Sequence, residues 1–378
     1  MNNKAALAPG FSVKKKGLSN TAFLLIVTIS LFFILYITSL IFFWRDNFFY
    51  FSMFFNTFFN EKPYLLAISL ALTVVMISGS IDISVGGVVG LVAMVIAVML
   101  LNPAVNAVWT IFAALGIGLA FGIVQGFLTA YMKIQPFIVT LVGMVFARGM
   151  ISVIRPTSVP ITEATAGGKT FLAWSSAQFN IPFLYNVRPN GRLAYAYFIP
   201  AGLIVLAVLV LIIILLKYTR FGRSLYAVGG NAQSALLMGI DPARTKFFAH
   251  VLAGVLAGIG GLVFTLVTPG GSPDYGRTYE IQAISSSIIG GSMLSGGVGL
   301  PVGTFFGVLI NLLIQRVVPL LGLTEASWPH IITSIFLLGF IVLQSILTIV
   351  SKTEGGVKAI LPSWVFFWKK KEGAKSPA

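Results

Sequence analysis

The chain has 378 residues, of which 57% are hydrophobic and only 9% are charged. A water-soluble globular protein of this length has too little interior to bury that apolar fraction, so the composition excludes that class and predicts an integral membrane protein. There are no cysteines, which excludes disulfides and thiolate metal sites. The net charge of +15 is explained more simply by basic cytoplasmic loops beside anionic lipid than by nucleic acid, so we expect membrane lipid and no nucleic acid as partners.

Hydropathy along the chain predicts ten membrane-spanning segments in a single domain of residues 1–378. They lie at roughly 18–44, 64–79, 83–101, 107–131, 135–154, 195–217, 247–268, 280–297, 300–321 and 329–350. Most contain the ~20 apolar residues that a hydrocarbon core of about 30 Å requires. The segments 64–79 and 280–297 are shorter and rich in Gly and Ser, so broken, tilted or partly re-entrant helices are expected there. The predicted fold class is an all-α integral membrane protein of about ten transmembrane helices.

The positions of lysine and arginine predict the orientation of these spans. An even number of spans puts both termini on one side, and the positive-inside rule makes that side the cytoplasm. The N-terminal tail (1–17), a polar loop (218–246) and a basic C-terminal tail (351–378) are therefore expected in the cytoplasm. The longest loop on the other side, 155–194, is expected to be a folded loop or short helices on the outer face.

The polar loop 218–246 is the best-marked interruption between two long apolar segments. Its segment Asn231 to Met238 has helical character, with Asn231 as a plausible N-cap and Gly239 as a plausible stop. A helix in a cytoplasmic loop is suited to docking a partner. The alternative is that the segment merely joins two spans, and its spacing does not decide between the two.

Several polar residues stand within or at the edges of the spans. Asp82, together with Ser84, is expected to cap the following helix, and it is also a candidate for a translocation path. Arg148 lies inside a span, where it needs a partner, and the candidates are backbone carbonyls, Glu280 or Asp274. Glu280 opens a short span, where a carboxylate suits a helix N-terminus or the outer mouth of a path.

Two stretches of the chain resemble each other. Residues 79–88 are similar to 291–298, and both lie where a short span meets the next long one. Paired breaks of this kind occur at the central sites of transporters built from repeats, whereas Gly, Ser and Ile are also common in any span. The candidates for a translocation path are then Asp82, Ser84, Arg148, Glu280 and Ser292.

Further motifs make the chain similar to the permease subunits of bacterial ABC importers for monosaccharides of the ribose, galactose, arabinose and xylose type. The matching pieces are GSIDISVG at 79–86, PFIVTL at 136–141, ARG at 147–149, YTRFGRSLYAVGGN at 218–231, 235–240, Tyr279 and Glu280 with Ala283 and Ile284, and IGGSMLSGG at 289–297. The resemblance runs from about Tyr64 to Ser345. Gln282 departs from it, since relatives often carry Asp there, and Val298 to Leu300 replaces a more polar run.

The resemblance implies that Asn231 to Ile240 is a coupling helix seated in a groove of a cytoplasmic ATPase. The coupling residues it implies are Gly230, Asn231, Ala235, Gly239 and Ile240, with Ala235 and Gly239 packed too closely in that groove for larger side chains. It also implies a periplasmic sugar-binding protein, a second permease subunit that is identical or related, and a location in the bacterial inner membrane.

The sequence offers no catalytic or cofactor-binding residues, and the two histidines lack metal-ligand spacing. ATP hydrolysis is therefore expected in a partner subunit. One alternative is the same architecture importing nucleosides or another polar solute. A second is an ion-driven carrier, which requires titratable groups inside the spans, where Arg148 is the clearest example.

Overall fold

The computed structural model describes residues 20–43, 55–187, 193–325 and 327–352. Within them the chain forms thirteen α-helices, a short π-helical turn (Thr57–Glu61) and two small sheets. The helices are α1 (Asn20–Phe42), α2 (Pro63–Ile77), α3 (Val85–Met99), α4 (Val108–Ala130), α5 (Pro136–Ile154), α6 (Ala166–Ser176), α7 (Pro200–Tyr218), α8 (Arg220–Gly230), α9 (Ala232–Leu237), α10 (Pro242–Val267), α11 (Tyr279–Ile289), α12 (Pro301–Leu320) and α13 (Trp328–Lys352). The strands are β1 (Val159–Pro160), β2 (Phe179–Val187), β3 (Leu193–Phe198) and β4 (Gly270–Gly271). The tail 1–17 and residues 353–378 lie outside the described residues.

Seven helices of the described chain are long and apolar enough to cross a membrane, namely α1, α4, α5, α7, α10, α12 and α13. The remaining predicted segments are α2, α3 and α11, with 15, 15 and 11 residues. At 1.5 Å per residue these three reach only about 16 to 22 Å, less than the ~30 Å of a hydrocarbon core. The all-α multi-pass membrane fold is confirmed, and two of the three short helices are the ones predicted. The third, α3, was expected to be a full-length span.

Helix α2 lies at the centre of the bundle. All 15 of its residues are buried, and α7, α10, α11 and α12 pack around it. The hydroxyl of Thr73 is satisfied inside the protein, since it lies 2.6 Å from that of Thr304. Helices α1, α5 and α13, in contrast, bury only 22%, 22% and 17% of their apolar windows inside this chain, which suits contact with lipid or with another subunit.

Glycines spaced four residues apart allow the closest helix contacts. A Cβ at Gly118 of α4 would lie 2.2 Å from the carbonyl oxygen of Gly254 in α10. Gly303 and Gly307 of α12 meet α11 in the same way, with 2.0 Å between each virtual Cβ and a carbonyl oxygen. Only residues without a side chain permit this approach of two backbones.

The helix ends sort into two groups, which we call the coupling end and the hairpin end. The coupling end carries α8, α9 and the loops 78–84 and 290–300, and the hairpin end carries the β2–β3 hairpin. Both termini of the described chain lie toward the coupling end. In α1, Thr28 donates to the carbonyl oxygen of Ile289 at 2.6 Å, and in α13 Gln344 donates to that of Ser292 at 3.2 Å.

The loop 155–194 differs from its prediction. It contains the helix α6, but it also contains β-structure, because β1 pairs with β4 and β2 pairs with β3. The hairpin extends to Phe198, so the next span begins at Pro200 and not at 195. Asn60 holds the hairpin against the bundle by donating to the carbonyl oxygen of Tyr197 at 2.8 Å and accepting from the N–H of Ile199 at 3.1 Å.

Candidate functional site

Residues 218–246, the coupling segment, form three helices joined by capping residues. The hydroxyl of Thr219 accepts from the N–H of Gly222 at 3.2 Å and caps α8. The carboxylate of Asp241 accepts from two N–H groups in the first turn of α10. Helix α8 buries Leu225 and Val228 against the bundle. Since few residues lie between the helices, the segment is a stiff unit.

Helix α9 is capped at both ends as the sequence predicted. The Asn231 side chain accepts from the N–H of Ser234 at 2.9 Å. At the other end Gly239 has φ +81°. The N–H of Gly239 donates to the Leu236 carbonyl at 2.9 Å and that of Ile240 to the Ala235 carbonyl at 3.0 Å. These two bonds form a Schellman motif, which requires a left-handed residue at the position of Gly239.

The side-chain directions on α9 show how its residues pack within this chain. Ala235 is fully buried against the permease itself. A Cβ at Gly239 would meet no atom of the described residues within 4 Å, whereas the φ of +81° there favours glycine. The exposed tip consists of Leu236, Leu237 and Met238, at 59%, 87% and 68% exposure.

Sequence reasoning missed this apolar tip. Its signal was the run of large apolar residues Leu236, Leu237 and Met238 immediately before the predicted helix stop at Gly239. Of the remaining predicted coupling residues, Gly230 is exposed and Ile240 is half-buried.

Asp82 and Ser84 form a buried polar cluster at the coupling end. One carboxylate oxygen of Asp82 accepts from the N–H of Ser84 at 2.8 Å and from its hydroxyl at 2.6 Å. The helix begins at Val85, so Asp82 fixes the N-cap residue Ser84 and does not itself bond the first turn. The amide of Gln125 on α4 donates to the Ser84 hydroxyl at 2.8 Å, a partner that the sequence did not reveal.

Arg148 finds one of its predicted partners. Its guanidinium donates to a carboxylate oxygen of Glu280 at 2.8 Å, which joins α5 to the first turn of α11. The side chain of Glu280 is 8% exposed and that of Arg148 is 37% exposed. The carboxylate is therefore buried, and only the arginine reaches the surface of the chain. Asp274, the other candidate, pairs with Arg277 at 3.1 Å.

Four of the five path candidates lie near one another. Asp82 and Ser84 immediately precede α3, and a Cβ at Gly86, two residues further on, would lie 2.2 Å from a carboxylate oxygen of Glu280, the partner of Arg148. Ser292 lies in the loop after α11, where its hydroxyl is buried and has no hydrogen-bond partner among the described residues. Ser292 is thus the candidate in a separate loop, while the other four lie where α3, α5 and α11 meet.

A polar cavity of about 380 Å³ lies at the hairpin end between the segment 57–62, α11, α12 and α13. Gln282, Gln315 and His330 line it, as does Lys62, which donates to the Gln315 side chain. Burial and the nearby Arg316 lower the pKa of Lys62. The described residues contain no group of three or more His, Asp or Glu side chains suited to a metal ion.

The chain is similar to known membrane transport permeases. Residues 53–345 match the family model for the permease component of the branched-chain amino acid transport system. The inner membrane ABC transporter permease protein YjfF of Escherichia coli is 37% identical over 77% of this chain and 83% of its own length. The fructose import permease FruG of Bifidobacterium longum is 31% identical over 77% and 82%, and the ribose import permease RbsC of Escherichia coli is 30% identical over 74% and 81%. No solved structure matches the chain. The match over most of the membrane-spanning helices shows that the chain belongs to this family of transport permease components.

Proposed function

We propose that this chain is the membrane-spanning subunit of an ABC importer in the bacterial inner membrane. A binding protein outside the membrane delivers a monosaccharide, and a separate cytoplasmic ATPase drives its passage. The observation that carries this proposal is α9, a short helix capped at both ends that presents three exposed apolar residues at the basic end of the bundle. Exposed apolar side chains on a stiff polar segment are the features of a docking surface.

Each predicted residue of the coupling segment has its own role. Asn231 and Gly239 fix the two ends of α9, and Ala235 anchors the helix to the permease. Gly230 and Ile240 flank it. Leu237 and its neighbours on the tip insert into the groove of the ATPase, whose closure on ATP moves the segment. The permease performs no chemistry itself.

The passage runs past the polar residues along α5 and α11. Asp82, Ser84, Arg148 and Glu280 lie where α3, α5 and α11 meet, and Ser292 lies in the loop after α11. Hydroxyl and charged groups of this kind offer a sugar replacement hydrogen bonds within the membrane. The exposed apolar side of α5 faces a second permease subunit, either a copy of this chain or a relative of it.

The relatives favour a sugar over other solutes. The family model bears the name of branched-chain amino acid transport, but FruG and RbsC match three quarters of this chain and are fructose and ribose permeases. A passage for leucine-like solutes has no need of the buried polar cluster at Asp82, whereas a polyol does. An ion-driven carrier is disfavoured because its clearest intramembrane charge, Arg148, is neutralised by Glu280.

Purification of the tagged permease in mild detergent tests this function. We expect an ATPase, identified by mass spectrometry from its nucleotide-binding motifs, to copurify with the wild type and to be lost from Leu237→Arg. The matched control is Leu321→Arg at the hairpin end, where the side chain is 61% exposed. Equal capture by Leu237→Arg, or no ATPase with the wild type in several mild detergents, would count against the proposal.

A further inference from the structure

The end of α8 packs directly on the loops that follow two short helices, α2 and α11. A Cβ at Gly229 would lie 1.7 Å from the carbonyl oxygen of Ile77, the last residue of α2. The same Cβ would lie 2.5 Å from the amide nitrogen of Gly297 in the loop after α11. Both distances are far below van der Waals contact, so the backbone of α8 touches both loops with no side chain between them.

The two loops also hold each other. The N–H of Gly297 donates to the Ile77 carbonyl at 2.9 Å. A Cβ at Gly296 would lie 2.8 Å from the Cα of Gly79 and 2.8 Å from the carbonyl oxygen of Gly229. Gly79, Gly229, Gly296 and Gly297 thus form one contact, which we call the glycine junction. The junction brings together the two stretches of sequence that resemble each other, 79–88 and 291–298.

A side chain reinforces this contact one turn earlier in α8. The hydroxyl of Tyr226 donates to the carbonyl oxygen of Gly299 at 2.7 Å. Burial raises the pKa of Tyr226 to about 12, so the hydroxyl keeps its proton at cellular pH. This bond connects α8 to the loop after α11 independently of the glycines.

The contact is stiff on both sides. Toward α9, α8 ends at Gly230 and the next residue is already the cap of α9. Toward the bundle, α2 ends at Ile77 in the junction, and α11 ends at Ile289 and is joined to the junction by the loop 290–297. Neither helix is long enough to span the membrane. Backbone groups in direct contact move together, because no flexible side chain is available to absorb a displacement. Displacement of α9 therefore shifts the inner ends of α2 and α11 at the same time.

We propose that the glycine junction transmits the movement of the docked coupling segment to α2 and α11 together and so opens the coupling end of the passage, with Tyr226 as the positioning residue that keeps α8 in register with the loop after α11. This inference rests on the proposed function, since it requires an ATPase bound at α9. It assigns a mechanical role to residues that do not contact the ATPase or the solute.

Two substitutions in the complete complex test the junction. Tyr226→Phe removes one hydrogen bond at almost constant volume, and Gly229→Ala forces the contact apart. The matched controls are Tyr131→Phe, an exposed tyrosine at the same end, and Gly116→Ala, where a Cβ meets nothing within 4 Å. For each variant we measure uptake of radiolabelled ribose, xylose and fructose by the host cell, ATPase copurification, and ATP hydrolysis by the purified complex.

We expect Tyr226→Phe to keep its ATPase and its ATP hydrolysis but to lower solute uptake per ATP by about fivefold, at the weak end of couplings between distant sites. A purely structural role would reduce uptake and hydrolysis in proportion to the folded complex and leave their ratio unchanged. An unchanged ratio in Tyr226→Phe would overturn the proposal even if Gly229→Ala failed to fold. If no ATPase copurifies with the wild type, the proposed function itself is wrong. That result differs from an unchanged ratio in Tyr226→Phe, which contradicts only the role of the junction.

Discussion

The guanidinium of Arg148 and the carboxylate of Glu280, 2.8 Å apart, join α5 to α11 across the edge of the bundle. Helix α5 is otherwise among the least buried helices, whereas Glu280 is almost fully buried. The pair therefore links a peripheral helix to the core through one charge-assisted contact. The side chain of Arg148 is 37% exposed and that of Glu280 is 8% exposed, so only Arg148 reaches the surface of this chain.

We expect Arg148→Met to lower the thermal stability of the purified permease by about 2 kcal/mol, because it leaves the buried carboxylate of Glu280 without its counter-ion. The loss is smaller than for a fully buried ion pair because the side chain of Arg148 is partly exposed. The measurement is the fraction of protein that stays monodisperse after heating in detergent. The double variant Arg148→Met with Glu280→Gln serves as control and is expected to recover much of the loss. If the single variant were as stable as the wild type, the pair would not hold α5 in place.

A second prediction concerns Gly86, which faces the same carboxylate. A Cβ at this position would lie 2.2 Å from the free oxygen of Glu280 and 2.6 Å from the carbonyl oxygen of Gly276. We expect Gly86→Ala to displace the ion pair and to lower the thermal midpoint in the same detergent assay. Gly116→Ala, which meets no neighbouring atom, is expected to leave the midpoint unchanged or slightly raised. Equal midpoints for the two variants would contradict this close contact.

The membrane fold and the caps of the coupling segment were predictable from the sequence because they depend on local composition. Long apolar runs define the spans, and Asn231 and Gly239 carry their own signals for the start and stop of a helix. The boundary near residue 195 was wrong because the strand before Pro200, LAYAYF, contains no charged residue and runs directly into the apolar span. Hydropathy alone does not separate the two.

The partners of the polar residues were less predictable because they depend on tertiary packing. Glu280 was one of three candidates for Arg148, and only the position of α11 decides among them. The burial of Ala235 depends on where α8 lies, since a one-residue step turns the side chain by 100° around so short a helix. The contact of Gln125 with Ser84 joins residues 41 positions apart, and no spacing rule indicates it.

A third prediction tests that contact. Gln125→Leu removes the amide that donates to the Ser84 hydroxyl at 2.8 Å, in a region where both side chains are buried. We expect a loss of about 1 kcal/mol in stability, the usual net value of one hydrogen bond, together with reduced uptake if the cluster lines the passage. Gln178→Leu, at an exposed position outside the bundle, is the control and is expected to change neither quantity. A stable variant with normal uptake would remove the Ser84 cluster from the path.

The last prediction separates backbone conformation from space at Gly239. The φ at this position is +81°, and no atom of the described residues lies within 4 Å of a virtual Cβ, so within this chain only the backbone conformation restricts the residue. We expect Gly239→Asn to retain the ATPase, since asparagine tolerates the left-handed conformation, and Gly239→Val to lose much of it, since a β-branched residue does not. The measurement is the amount of ATPase copurifying per permease, with total expression as the control for folding. Loss in both variants would show that the ATPase itself packs against this position, as the sequence first suggested. Retention in both would show that the Schellman cap is dispensable for docking.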